Sequence, residues 1–183
     1  DQQGAIKVWG DSSNGGDQEK APTGTGFKQL FSSRSGFSAL DQNGAISSWG
    51  GYREPGGDNP YDGFKLTPFR APSGSDFTQI FSNEGAFAAL DQQGAIKVWG
   101  DPNSGGDQAK APSGSGFTQI FSTIGAFAAL DQQGAIKVWG DPNSGGDQAK
   151  APSGSGFTQI FSTIGAFAAL DQQGAIKVWG DPN

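Results

Sequence analysis

The sequence predicts an all-β protein built from tandem repeats of about 40 residues, set as β-propeller-like blades or as a linear β-repeat array. Three observations carry this. Residues 91–130 recur without a change at 131–170. Each unit holds strand-sized apolar runs separated by glycine-rich turns. No apolar 3.6-residue period persists past one turn, so helices are not expected. A period of this size marks architectures in which each unit completes its core against its neighbours.

The chain divides as a single array: units 1–40, 41–90 with a ten-residue insertion, 91–130, 131–170, and a partial unit 171–183. Within a unit, Phe117-Thr-Gln-Ile-Phe-Ser122 alternates large apolar with small or polar groups and reads as a strand. Residues 126–130, Ala-Phe-Ala-Ala-Leu, suit a strand buried on both faces. Asp131-Gln-Gln-Gly134 reads as a tight turn, with Asp opening it and Gly supplying a positive φ. Residues 135–139 return as the partner strand, with Ile136 and Val138 on one face and Lys137 and Trp139 on the other. Residues 140–156 are rich in Gly, Pro, Ser, Asp and Asn and read as loop. Complete sets of three strands begin at Phe27, Phe77, Phe117 and Phe157. Residues 5–9 predict an orphan strand with no hairpin partner, one too many for neat closure.

Composition narrows the chemistry. Gly (31) and Pro (10) are abundant, but they recur at fixed positions and read as turns rather than linker. Only 34% of residues are hydrophobic, so the 14 Phe and 5 Trp must supply a thin, aromatic, repeated core. No Cys is present, which removes disulfides and zinc–thiolate sites. No His is present, which removes the usual general base and the commonest metal ligand. A net charge of −6 argues against binding a nucleic-acid backbone. No apolar run approaches the ~18 residues of a membrane helix, so no membrane insertion is expected. The absence of Met and a start inside a unit predict an excerpt or mature fragment of something longer.

Residues 129–140, Ala-Leu-Asp-Gln-Gln-Gly-Ala-Ile-Lys-Val-Trp-Gly, carry a resemblance. The pattern resembles the regulator of chromosome condensation repeat, whose hairpin reads Ala-Leu, a few polar residues, Gly, then apolar-x-x-Trp-Gly. It recurs at 39–50, 89–100 and 169–180, with Trp9-Gly10 as a partial copy. The chain is also similar to the near-identical Trp-Gly-Asp repeats of very large bacterial surface proteins. The resemblance implies β-propeller blades of about fifty residues and four strands. Three Trp-to-Trp spacings here are 40, and only Trp49 to Trp99 is 50. A shortened blade is therefore expected to lack its outermost strand. The nucleotide-exchange loops of that family have no match here, so no functional residue is carried over.

Three features compete for chemistry. Asp101-Pro-Asn-Ser-Gly-Gly-Asp107, repeated at 141–147, places oxygen donors like the front half of a calcium loop, but the distal Glu is missing. The turn reading is preferred, because Asp and Asn before glycines bond their own backbone. The Trp of each Trp-Gly could stack a sugar; a core ring closing each unit is preferred. The stretch 51–70 is the one non-repetitive element and reads as a loop. It holds both tyrosines, Tyr52 and Tyr61, and two of three arginines, Arg53 and Arg70. Tyr and Arg are enriched at binding hot spots, which makes these four the candidate partner-binding residues.

No catalytic constellation, metal site or cofactor is expected, and the chain is not expected to be an enzyme. The reading is a structural or adhesive repeat segment of a long extracellular or cell-surface protein. Its expected partners are neighbouring repeats or copies of itself, with filaments formed through the surplus strand. The alternative is a closed propeller module that binds a protein or glycan through 51–70.

Overall fold

A computed structural model describes residues 1–55 and 63–182. It is an all-β protein of four successive antiparallel sheets. The first holds β1 (Phe27–Ser32), β2 (Gly36–Asp41), β3 (Ile46–Pro55) and β4 (Phe64–Pro68), in that order. The second holds β5 (Phe77–Ser82), β6 (Ala86–Asp91) and β7 (Ile96–Gly100). The third holds β8 (Phe117–Ser122), β9 (Ala126–Asp131) and β10 (Ile136–Gly140). The fourth holds β11 (Phe157–Ser162), β12 (Ala166–Asp171) and β13 (Ile176–Gly180).

Each sheet is a blade whose two faces bury different residues. The forward face of the third blade (Ala126, Ala128, Leu130, Ile136, Val138) packs on the rear face of the fourth (Phe157, Ile160, Phe167, Ala169, Trp179). The same two sets join the second blade to the third. The alternation of β9 explains this: Ala126, Ala128 and Leu130 point one way, Phe127 and Ala129 the other. The first strand needs one adjustment to the expected alternation. A bulge at Thr118 shifts the register, so Phe117 and Ile120 are both buried in one interface, and Thr118 Oγ1 donates to Leu130 O at 3.1 Å.

The hairpin turns and their docking also connect blades. Gly134 lies at φ +75°, and a Cβ there would meet Phe157 O at 2.5 Å, so this turn seats directly on the next blade. Asp131 Oδ1 closes the turn by accepting from Gln133 N and Ala135 N at 2.9 and 2.8 Å. At the β1–β2 tip and its equivalents a backbone ladder crosses the blades. Arg34 N–H donates to Glu84 O (2.8 Å), Glu84 N–H to Ile124 O (3.3 Å), and Ile124 N–H to Ile164 O (2.9 Å).

The connections after Trp9-Gly10, Trp99-Gly100 and Trp139-Gly140 are more ordered than the loop expected. Ser12–Asn14, Pro102–Ser104 and Pro142–Ser144 form single 3-10 turns capped by Asp11, Asp101 and Asp141. Asp141 accepts from Asn143 N–H at 3.1 Å and Ser144 Oγ at 2.6 Å, so the carboxylates of the calcium-like motif serve as caps. Gly105 follows at φ +94°, and its C=O accepts the Trp139 Nε1–H at 3.1 Å. Trp179 reaches Gly145 O and Trp49 reaches Gly15 O in the same way, at 3.2 and 3.0 Å. Trp139 also stacks on Phe127, with ring centroids 5.3 Å apart.

Two expectations are corrected. The stretch expected as a loop contains two strands: β3 continues to Pro55 and β4 (Phe64–Pro68) runs antiparallel beside it, with Tyr52 opposite Thr67 and Arg53 opposite Leu66. The fifty-residue unit thus builds a four-stranded blade, and the forty-residue units build three-stranded ones. In the latter a single side chain serves the open edge. Gln108 Oε1 accepts Val98 N–H at 2.9 Å and its Nε2 donates to Ile96 O at 3.2 Å; Gln148 does the same to Val138 and Ile136. Residues 5–9 are not a strand: no described segment pairs with them, whereas the identical residues 175–179 lie beside β12. They still lie on the first blade, where Ile6 and Val8 pack against Ala39 and Trp49. Trp9 is 85% exposed, whereas the other four Trp are at most 6% exposed.

The Trp139 donor has a measurable share of stability. Trp139→Phe keeps a ring on Phe127 but strands the Gly105 carbonyl, and a loss of ~1–2 kcal/mol is expected in chemical denaturation. Trp9→Phe, at an exposed ring, is expected to leave the midpoint unchanged.

Candidate partner-binding groove

The insertion walls a groove between the first two blades. Arg34 and Ser35 come from the β1–β2 tip, Glu84 and Gly85 from the β5–β6 tip, and Asp101 and Ser104 from the capped turn after β7. Tyr52 and Arg53 on β3 and Phe64 on β4 close the remaining side, giving about 300 Å³. An equivalent groove of about 670 Å³ lies between the second and third blades. There Ile124, Asp141 and Ser144 occupy the matching places, and no hairpin contributes.

Tyr52 is anchored at its ring and at its hydroxyl. The ring lies 6.0 Å from that of Phe69, which is 5% exposed. Burial, then the hydrogen bond to Glu54, pushes the phenol up to about 12, and the negative charges of Glu54 and Asp101 add to this. Glu54 in turn accepts from Thr67 Oγ1 at 2.8 Å, and that bond, followed by the one from Tyr52, holds its carboxyl below the usual range. Arg53 is exposed and contributes to the field on Asp11, whose carboxyl is lowered mainly by the Ser13 hydroxyl. Arg34 meets Glu84 across the blade boundary at 3.4 Å. Phe64 stands 73% exposed at the rim. The site offers one open aromatic ring, one anchored phenol and two guanidinium groups, side-chain types enriched where proteins recognise other molecules.

Of the four candidate residues, the structure brings Tyr52 and Arg53 to this groove. Arg70 is exposed just beyond β4 and does not line it. Tyr61 lies outside the described residues. Sequence reasoning missed Phe64, whose exposure depends on the hairpin it did not foresee. It also missed Arg34 and Glu84. Their signal was available: the tip reads Ser-Arg and Asn-Glu in the first two sets of strands and Thr-Ile in the identical pair. Among the described residues no group of three acidic side chains is placed to hold a metal ion. No described helix is long and apolar enough to cross a membrane.

The blades and their Trp-centred packing define a protein of the regulator of chromosome condensation fold, a β-propeller repeat architecture. No protein-family model and no curated protein sequence matches the chain. Among solved structures it is similar to Prp20p of Saccharomyces cerevisiae, with a TM-score of 0.57 and 17% identity over 84% of this chain and 43% of that one. It is similar to the ectodomain of the Physcomitrella patens receptor kinase CR4 (TM-score 0.58, 19% identity, 90% of this chain and 45% of that one). It is also similar to the CRINKLY WD40 ectodomain of the Arabidopsis thaliana receptor kinase ACR4 (TM-score 0.61, 13% identity, 90% and 56%). The chain thus spans roughly half the length of these propellers.

The phenol supplies a pH signature. A Tyr whose folded value is raised contributes stability that is complete below pH 10 and is lost as pH rises through about 12. Ultraviolet titration is expected to show a tyrosinate step near pH 12 that Tyr52→Phe removes.

Proposed function

We propose that this chain is a non-catalytic interaction module, a stretch of repeat scaffold from a long extracellular or cell-surface protein that seats a protein partner in the groove between its first two blades. One observation carries the reading. The only unit with extra residues uses them to build a hairpin, and that hairpin walls the groove with Tyr52, Arg53 and Phe64. Identical units elsewhere supply scaffold at low sequence cost, because each contacts only its neighbours.

The comparisons lend support of two kinds. Prp20p is described by its binding to Gsp1p and histones, and in another structure it is bound to Kap60. The two plant structures are receptor-kinase ectodomains, which fits a place outside the cell for this fold. A rigid rim bearing an aromatic ring and guanidinium groups is what protein hot spots use.

A phage-displayed random peptide library panned on the immobilised chain tests the groove. Peptides enriched on the wild type are expected to lose binding, by tenfold or more, to a Tyr52→Ala, Arg53→Ala, Phe64→Ala triple variant of unchanged melting temperature. Equal binding to both chains, or no enrichment, would overturn the reading.

A further inference from the structure

The groove between the first two blades continues beyond the second blade. Glu84 and Ser104 line it, and the same two residues line the groove between the second and third blades. The two hollows, of about 300 and 670 Å³, therefore meet at a joint and make one path across three blades. The strand pair β3–β4 walls the first groove with Tyr52, Arg53 and Phe64. A ligand too long for that groove has a way onward past Glu84 and Ser104 into the second.

One side of this path is the row of strand tips. Arg34 and Glu84 line the first groove, Glu84 and Ile124 the second. Backbone bonds from Arg34 N–H to Glu84 O (2.8 Å) and from Glu84 N–H to Ile124 O (3.3 Å) fix the row. It thus presents a cation, an anion and a half-buried apolar side chain in a set order. Phe-Ser precedes the tip in all three units, at 31–32, 81–82 and 121–122, so the units differ where the path is lined. The opposite side comes from the capped turns, whose carboxylates are already engaged. Asp101 accepts from Asn103 N–H and Ser104 Oγ, both at 2.9 Å, and Asp141 accepts from its own turn in the same way. The charges left for a ligand are the two guanidinium groups, Glu84 and Lys110. Among the described residues no carboxylate pairs with Arg53. The Arg34–Glu84 pair is long and exposed, a weak contact that a ligand carboxylate can share. The second groove adds Ile124 with Pro102 and Pro142, an apolar surface.

We propose that the protein partner enters as an extended peptide segment spanning both grooves, an inference that rests on the first groove being a binding site. The segment sets an acidic side chain at Arg34 and Arg53 and, further along, an apolar side chain against Ile124. An extended chain suits a path that crosses two blade boundaries, whereas a compact ligand fills one groove only. The acidic residue selects the segment by charge, and the apolar one is drawn in by burial.

Fluorescence polarisation with a labelled synthetic peptide, taken from those the random library enriches on the wild-type chain, tests this. The enriched peptides are expected to share an acidic residue and an apolar one at a fixed spacing. Ile124→Glu places at this tip the residue the second unit already carries there, and it lies outside the first groove. It is expected to weaken the full peptide by about tenfold or more. Ile124→Ser, which adds no charge, is expected to weaken it in the same direction and stands in if the glutamate variant melts low. A peptide cut back to its acidic half is expected to bind all three chains equally. Arg53→Glu is expected to reject the full peptide and to accept one whose acidic residue is changed to Lys. A full peptide that binds both Ile124 variants as tightly as the wild type overturns the spanning path. That result leaves the first groove standing, since the Tyr52, Arg53 and Phe64 triple variant tests it separately. Enriched peptides that lack an acidic residue, or that ignore Arg53→Glu, also overturn the proposal, and a library with no enrichment overturns both readings.

Discussion

Everything in this structure hangs on one contact between consecutive units: a tryptophan at the end of the third strand reaching the glycine turn of the unit before. Trp139 stacks on Phe127 of its own blade and donates to Gly105 of the preceding connection. The turn must therefore come close, and Gly105 permits it; a Cβ there would lie 2.8 Å from the Phe127 ring. A small chain with little apolar content gains a core in this way. Large rings are buried between blades rather than inside them, and each connection is fastened by the blade it leads into.

The exception shows how necessary that contact is. At Trp99, which follows the unit with the insertion, the partner is different. Here the Trp99 Nε1–H donates to Ser48 Oγ at 3.0 Å, and Ser48 stands where the other units have Val. Phe69 fills the space beside Phe87, edge to face, with centroids 5.0 Å apart. Ser48 is itself bonded to the fully buried Ser38 at 2.7 Å, so the polar atoms are satisfied within the interface. Two serines and one phenylalanine thus meet this Trp and its partner ring at the boundary of the first two blades.

Much of this was legible in the sequence and some was not, for physical reasons. The forty-residue period, the Asp-Gln-Gln-Gly turn and the paired strands around it depend on local chemistry, and they lie where residues 126–140 place them. The resemblance correctly implied that a forty-residue unit lacks an outer strand, but the sequence did not reveal Gln108 as its substitute. A glutamine amide engages an edge only when the chain returns to it, a tertiary event without local signature. The strand pairing of 51–55 with 64–68 was missed because these segments carry Glu, Arg and Lys among few apolar residues and face water. The orphan strand at 5–9 failed for the opposite reason. Its local pattern is as good as that of residues 175–179, yet a strand exists only when something pairs with it. In the groove, the hot-spot composition of Tyr52 and Arg53 was visible, whereas Phe64 and Arg34 join them only through the meeting of two blades.

The tip ladder has a further consequence. Ile124 and Ile164 sit in units that are copies, and a copy cannot tell its proper neighbour from another of the same sequence. In repeat proteins such degeneracy is a route to mispaired assemblies. Arg34 and Glu84 differ from that pair and from each other, and they meet across one boundary alone. Together with the one four-stranded sheet among the described residues, they set the junction of the first two blades apart from the two that follow.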